Sequence, residues 1–175
     1  GGRGSIIGSV LGAMIVGNVV RDNGYTGIQL DGADGVVRDN RVSSNDRGIV
    51  ANWSGYEISL REIRENSVFD NRSLGIQVVD ADVTVAENVV YGHASGSYSI
   101  GIQASDAAVL GNIVFANSTG IQINGFSNRA EANRVYANRT GIAVNAATDL
   151  TGNIVYSNSL GIDVQPGFGG YQGRI

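Results

Sequence analysis

Cysteine and lysine are both absent from this chain of 175 residues, and proline, histidine, methionine and tryptophan occur once each. Without cysteine, disulfides and thiolate metal sites are excluded. A single proline beside 26 glycines fits neither a collagen-like repeat nor a proline-rich linker. All 12 basic residues are arginine, set against 16 acidic ones. A net charge of −4 with no basic stripe gives no footprint for a nucleic acid. No run approaches the roughly 18 apolar residues of a membrane span. No signal peptide is read, and the opening Gly1-Gly2 points to a processed product or an excised piece of a larger protein. A hydrophobic content of 42% argues against disorder.

What is present is repetition. The unit is N-x-V-x-x-N, a short gap, then G-I-x-V. Its first asparagines are Asn18, Asn40, Asn66, Asn88, Asn112, Asn133 and Asn153, each followed two places later by valine. Five places after them stand Asn23, Asn45, Asn71, His93, Asn117, Asn138 and Asn158. A Gly-Ile step closes each unit, from Gly27-Ile28 to Gly161-Ile162. Helical repeats would need apolar residues at helical spacing, and propeller blades about twice this period. Short alternating strands with a turn at each corner describe a β-solenoid. The expected fold is all-β, a right-handed parallel β-helix of about seven coils of 20–26 residues, forming one domain over residues 1–175. At about 4.8 Å per coil it makes a rod of roughly 34 Å.

Stacking assigns the columns. The valines after the first asparagine should point inward, with both apolar residues of G-I-x-V and the column from Ile15 to Leu150. Asparagines at the corners can donate and accept along the stack. The glycines are expected to supply backbone conformations closed to other residues. Asn52–Glu57 and His93–Tyr98 break the period and read as surface loops.

These columns resemble the parallel β-helix repeat family that includes NosD-like proteins and the catalytic modules of secreted mannuronan C5-epimerases. The likeness runs from about Ile15 to Val164, with Val20–Tyr25 and Asn45–Gly48 closest to epimerase segments. The resemblance implies a polysaccharide ligand, with polyuronate as the expected class, lying along the outer face of the G-I-x-V strands. The epimerase motif is a tyrosine followed by Asn-Asp-Arg-His-Gly. Asn45, Asp46 and Arg47 match it, but Ser43 replaces the tyrosine, the histidine is missing, and no lysine exists for the neighbouring coil. Epimerisation needs one group to remove a proton and another to return it from the opposite face, so Asp46 alone is too little.

On the outer face, Gln29, Gln77, Gln103 and Gln122 form one column, with Asn124 and Asn145 in the next. Amides suit hydroxyl-rich ligands because they donate and accept. Phe69, Tyr91, Phe115, Tyr136 and Tyr156 form an aromatic column expected beside those glutamines, with Tyr91 and Tyr136 as sugar-stacking candidates. Catalytic candidates are Asp46, Arg47, Tyr91 and His93, although His93 occupies an asparagine position where an imidazole can stand in for the amide. Asp31 and Asp163 are too far apart for a glycosidase pair, and Asp80 with Asp82 sits at a turn. Arg47, Arg61, Arg64 and Arg72 offer charge for a lyase. No metal or cofactor is expected; calcium is left open without a supporting motif, since Asp31–Gly35 lacks the known loop spacings. The functional expectation is a non-catalytic carbohydrate-binding or rigid module of a secreted or cell-surface protein. The alternative is a polyuronate epimerase or lyase. Exposed coil edges at the rod's ends add end-to-end self-association as an expected contact.

Overall fold

A computed structural model of the chain describes residues 6–8, 12–31, 35–52, 61–79, 83–93, 98–125, 128–145 and 147–165. Asp34, Asp80, Asp82, most of both insertions and the tail from Pro166 lie outside the described residues.

Each coil consists of three short strands. In a central coil these are Ala107–Leu110, Ile113–Phe115 and Thr119–Asn124. Equivalent strands of successive coils pair in parallel, giving one eight-stranded and two seven-stranded sheets. Seven strand triplets stack into a parallel β-helix, and no helix occurs among the described residues. Its right hand is the one that parallel crossovers adopt.

Register places like on like. Val114 pairs with Val90 and Val135, Val109 with Val85 and Ala130, and Ile121 with Ile102 and Ile142. These columns are buried in the central coils and form one continuous core. Each buried aliphatic side chain contributes about 1.5–3 kcal/mol.

The corners are built by two asparagine ladders. The Asn66 Oδ1 accepts from both the backbone N–H and the side-chain amide of Asn40, at 3.0 Å each. The Asn66 amide donates back to the Val37 carbonyl at 2.9 Å and onward to Asn88 Oδ1 at 2.9 Å. Buried polar groups that would otherwise be costly are thereby satisfied coil by coil.

The residue before every ladder position has a positive φ, and most of these residues are not glycine: Asp39, Glu65, Asp70, Ala116, Ala132 and Ala137 are examples. A left-handed residue followed by an extended one turns the chain sharply, at a cost of about 1–2 kcal/mol for a non-glycine. Gly17, Gly92, Gly111 and Gly152 supply this conformation as expected, whereas the glycines of the Gly-Ile step do not. Their role is steric. A Cβ on Gly101 would lie 2.6 Å from the Gly120 carbonyl oxygen, 2.7 Å from Val114 Cγ1 and 2.9 Å from Asn117 Nδ2.

Candidate functional site

The eight-stranded sheet aligns Gln29, Val50, Gln77, Gln103, Gln122, Ala143 and Asp163 in one column. Gln77 Nε2 donates to Gln103 Oε1 at 2.8 Å, and Gln29 Nε2 donates to Asp31 Oδ2 at 2.6 Å. Val50 is only 2% exposed, so the column is not a uniformly solvated face. Asn124 and Asn145 occupy the adjacent column as expected, half-buried and exposed respectively.

Toward the later coils this face opens into a groove of about 460 Å³. Its floor and walls carry Thr119, Thr140 and Gln122 from the strands, with Ser118, Arg139 and Ser159 from the corner before them. Ile100 and Leu160 add apolar surface, and Tyr98, 91% exposed, stands on the rim. A smaller recess of about 50 Å³ beside it is lined by Gln122, Ala143, Val144, Asn145 and Gln165. Gln122 belongs to both. Sequence reasoning found Gln122 and Asn145 but missed the corner residues. Their signal was the Ser118-Thr119 and Arg139-Thr140 pairs directly before Gly-Ile steps.

The other candidates lie elsewhere. Tyr91 and Tyr136 belong to the seven-stranded sheet of three-residue strands, across a corner from the glutamines. Phe69, Tyr91, Phe115, Tyr136 and Tyr156 stack with centroids 4.8–5.2 Å apart and nearly parallel planes. The Arg41 guanidinium lies 4.3 Å over the Phe69 ring. Ring faces are thus taken by other rings or by arginine, so the interior of this ladder offers a sugar only ring edges.

Arg47 Nη2 donates to the Tyr25 hydroxyl at 2.6 Å, and its guanidinium lies 4.8 Å from that ring's centroid. Asp46 follows Tyr25 in the corner column that continues through Ser73, Ser99 and Ser118 to Arg139, each linked to the next coil by backbone hydrogen bonds. Asp46 and Arg139 are therefore four coils apart, about 19 Å.

His93 is fully buried in the second ladder. Its Nδ1 lies 3.1 Å from the Asn71 nitrogen and 3.2 Å from the Asn71 carbonyl oxygen, so that the tautomer sets which of the two it bonds, and Nε2 has no partner. Burial lowers its pKa from 6.5 to about 4, against an opposing contribution from the Asn71 backbone. The imidazole is neutral at pH 7 and has no access to an external polymer, which corrects its candidacy as a catalytic acid or base.

Residues 2–166 match the family described as periplasmic copper-binding protein (NosD). The chain belongs to the NosD family. No curated protein sequence matches it. Two crystal structures of the periplasmic alginate epimerase AlgG, one of them a point mutant, share the NosD-family chain's fold at a TM-score of 0.62 and 19% identity. They cover 94% and 92% of this chain, which in turn covers 45% and 44% of theirs. The chain thus spans less than half the length of those structures.

The family description raises copper, and the donors of this NosD-family chain do not fit it. Copper sites use imidazole, thiolate or thioether ligands. Here the single histidine is enclosed in a ladder, cysteine is absent, and Met14 lies in a coil three below His93. Among the described residues no group of three His, Cys, Asp or Glu side chains could hold a metal ion.

Proposed function

We propose that this β-helix is a non-catalytic polysaccharide-binding module of a periplasmic, secreted or cell-surface protein, holding a glycan along the outer face of the eight-stranded sheet. The groove at Gln122 carries the reading: it concentrates hydroxyls and an amide on a surface preset by stacked strands. Such groups donate to and accept from sugar hydroxyls, and a rigid sheet spares the ligand the cost of ordering its site. The test is a glycan-array and polyuronate binding screen on the chain and on a variant with Gln77, Gln103 and Gln122 changed to alanine. Binding that the triple change removes supports the groove. Binding to no glycan by the folded protein leaves a rigid spacer, with end-to-end contacts between rods as its expected interaction.

The fold shared with an alginate epimerase favours a second reading, a polyuronate epimerase or lyase. Either reaction needs proton-transfer groups gathered around one sugar. Asp46 and Arg47 lie at one corner, Tyr91 on another sheet and His93 inside the core. This dispersal favours binding over turnover. Unsaturated product or altered C5 stereochemistry on incubation with polyuronate, with or without calcium, would reverse that preference.

A further inference from the structure

Arginine is the chain's sole strong cation, and most of its described copies are occupied. Arg38 pairs with Asp39 at 2.9 Å, Arg64 with Glu62 at 3.2 Å and Arg129 with Glu131 at 3.8 Å. Arg41 and Arg47 lie over aromatic rings, and Arg134 donates to the Tyr156 hydroxyl at 2.8 and 3.0 Å. Arg139 differs. It is exposed in the groove, and among the described residues its side chain has neither ion pair nor ring contact. No aspartate or glutamate lines the groove, although the protein as a whole carries a net charge of −4. Arg139 is thus the charged side chain of this groove among the described residues, in an otherwise acidic molecule.

Tyr98 is a second, independent observation. The ladder rings spend their faces on one another, whereas Tyr98 joins no stack among the described residues and is 91% exposed on the same groove's rim. A sugar ring packs on an aromatic face, while a planar guanidinium binds carboxylate or sulfate oxygens with two parallel donors.

We infer that the groove selects a glycan carrying an anionic group, held by the Arg139 guanidinium while a neighbouring sugar ring packs on Tyr98. This rests on the groove being the glycan site. Ser118, Thr119, Thr140 and Ser159 then meet the hydroxyls on either side of the charge.

The test compares binding of three oligosaccharide classes by calorimetry: uronic acid oligomers, sulfated oligomers and neutral oligomers. At least one anionic class should bind more tightly than the neutral one, and added salt should weaken it. Arg139→Gln should reduce that binding by about tenfold to a hundredfold and abolish the preference over the neutral class. Arg129→Gln, which removes an ion-paired arginine from another sheet, should leave the preference intact. Tyr98→Ala should weaken charged and neutral ligands alike. Uronate and sulfate arms identify which anion the site takes, and preference for either supports the inference. Equal binding of neutral and charged glycans, or a preference that survives Arg139→Gln, overturns it while leaving the groove reading in place. Binding of no glycan overturns both. Arg139 is exposed and, among the described residues, contributes backbone hydrogen bonds alone, so an unchanged melting curve should accompany the variant.

Discussion

The two corner ladders run side by side through the same coils, yet one is uniform and the other is not. The first is asparagine throughout, and its interior amides bridge the coils on both sides, as Asn88 does to Ile63 O at 2.8 Å and Asn112 Oδ1 at 3.0 Å. The second meets His93 at its fourth step. There Nδ1 stays within hydrogen-bond distance of both the Asn71 nitrogen and the Asn71 carbonyl oxygen, and the His93 N–H still donates to Asn117 Oδ1 at 3.2 Å. The onward side-chain donation that an amide makes to the next coil is lost, because Nε2 has no partner. An imidazole therefore preserves the backbone half of the ladder and gives up the amide half. It also introduces a group that titrates, which asparagine cannot.

The largest effect should come from breaking both ladders together. Val114 lies on the strand that joins Asn112 to Asn117, and it is fully buried. Val114→Asp should abolish cooperative unfolding, because an unpaired buried charge has no compensating partner. A variant that melts like the parent would refute the inward valine column. Breaking the uniform ladder alone should cost less. Asn112→Ala removes the acceptor of the Asn88 N–H and the donor to the Val85 carbonyl. Leaving such groups unpaired should lower stability by about 4 kcal/mol in denaturant unfolding.

Acid tests the interrupted ladder. The folded His93 pKa of about 4 lies below the free value of 6.5, so the unfolded chain takes up the proton first as pH falls. Its stabilising contribution is complete above pH 6.5 and lost as pH falls through the folded pKa, by about 3 kcal/mol in all. Unfolding midpoints at pH 8, 6 and 4.5 measure this slope. His93→Asn should flatten this part of the profile and gain about 1 kcal/mol at pH 8 by restoring an amide. A slope that persists in His93→Asn would assign the acid sensitivity to other groups. The smallest effect belongs to the corners themselves. Ala137→Gly, at φ 54°, should stabilise by up to about 1 kcal/mol, while the same change at the buried strand residue Ala104 should destabilise.

The inward columns were legible because Ile15, Val114 and Ile121 recur at positions that stacking must superpose. The Gly-Ile glycines were legible as a column, but their reason lay in the next coil's carbonyl and valine. The left-handed corners were hidden, since Glu65, Ala116 and Ala132 carry no local sign of positive φ. His93 could be placed in its ladder by counting, whereas its neutrality depends on what encloses it.

The site divides along the same line. Gln122 and Asn145 followed from alternation within a strand. Tyr91 and Tyr136 followed from counting as one column, whereas the stacking of their ring faces on one another was visible only in the structure. Arg139 and Tyr98 emerged as a pair only from the coordinates, since they belong to no shared column and come from different coils. Repetition along the chain was sufficient for the coil, its inside and its ladders, because each coil's environment is a near copy of itself. The groove was settled by three-dimensional packing, because it is made from the residues in which one coil differs from the next.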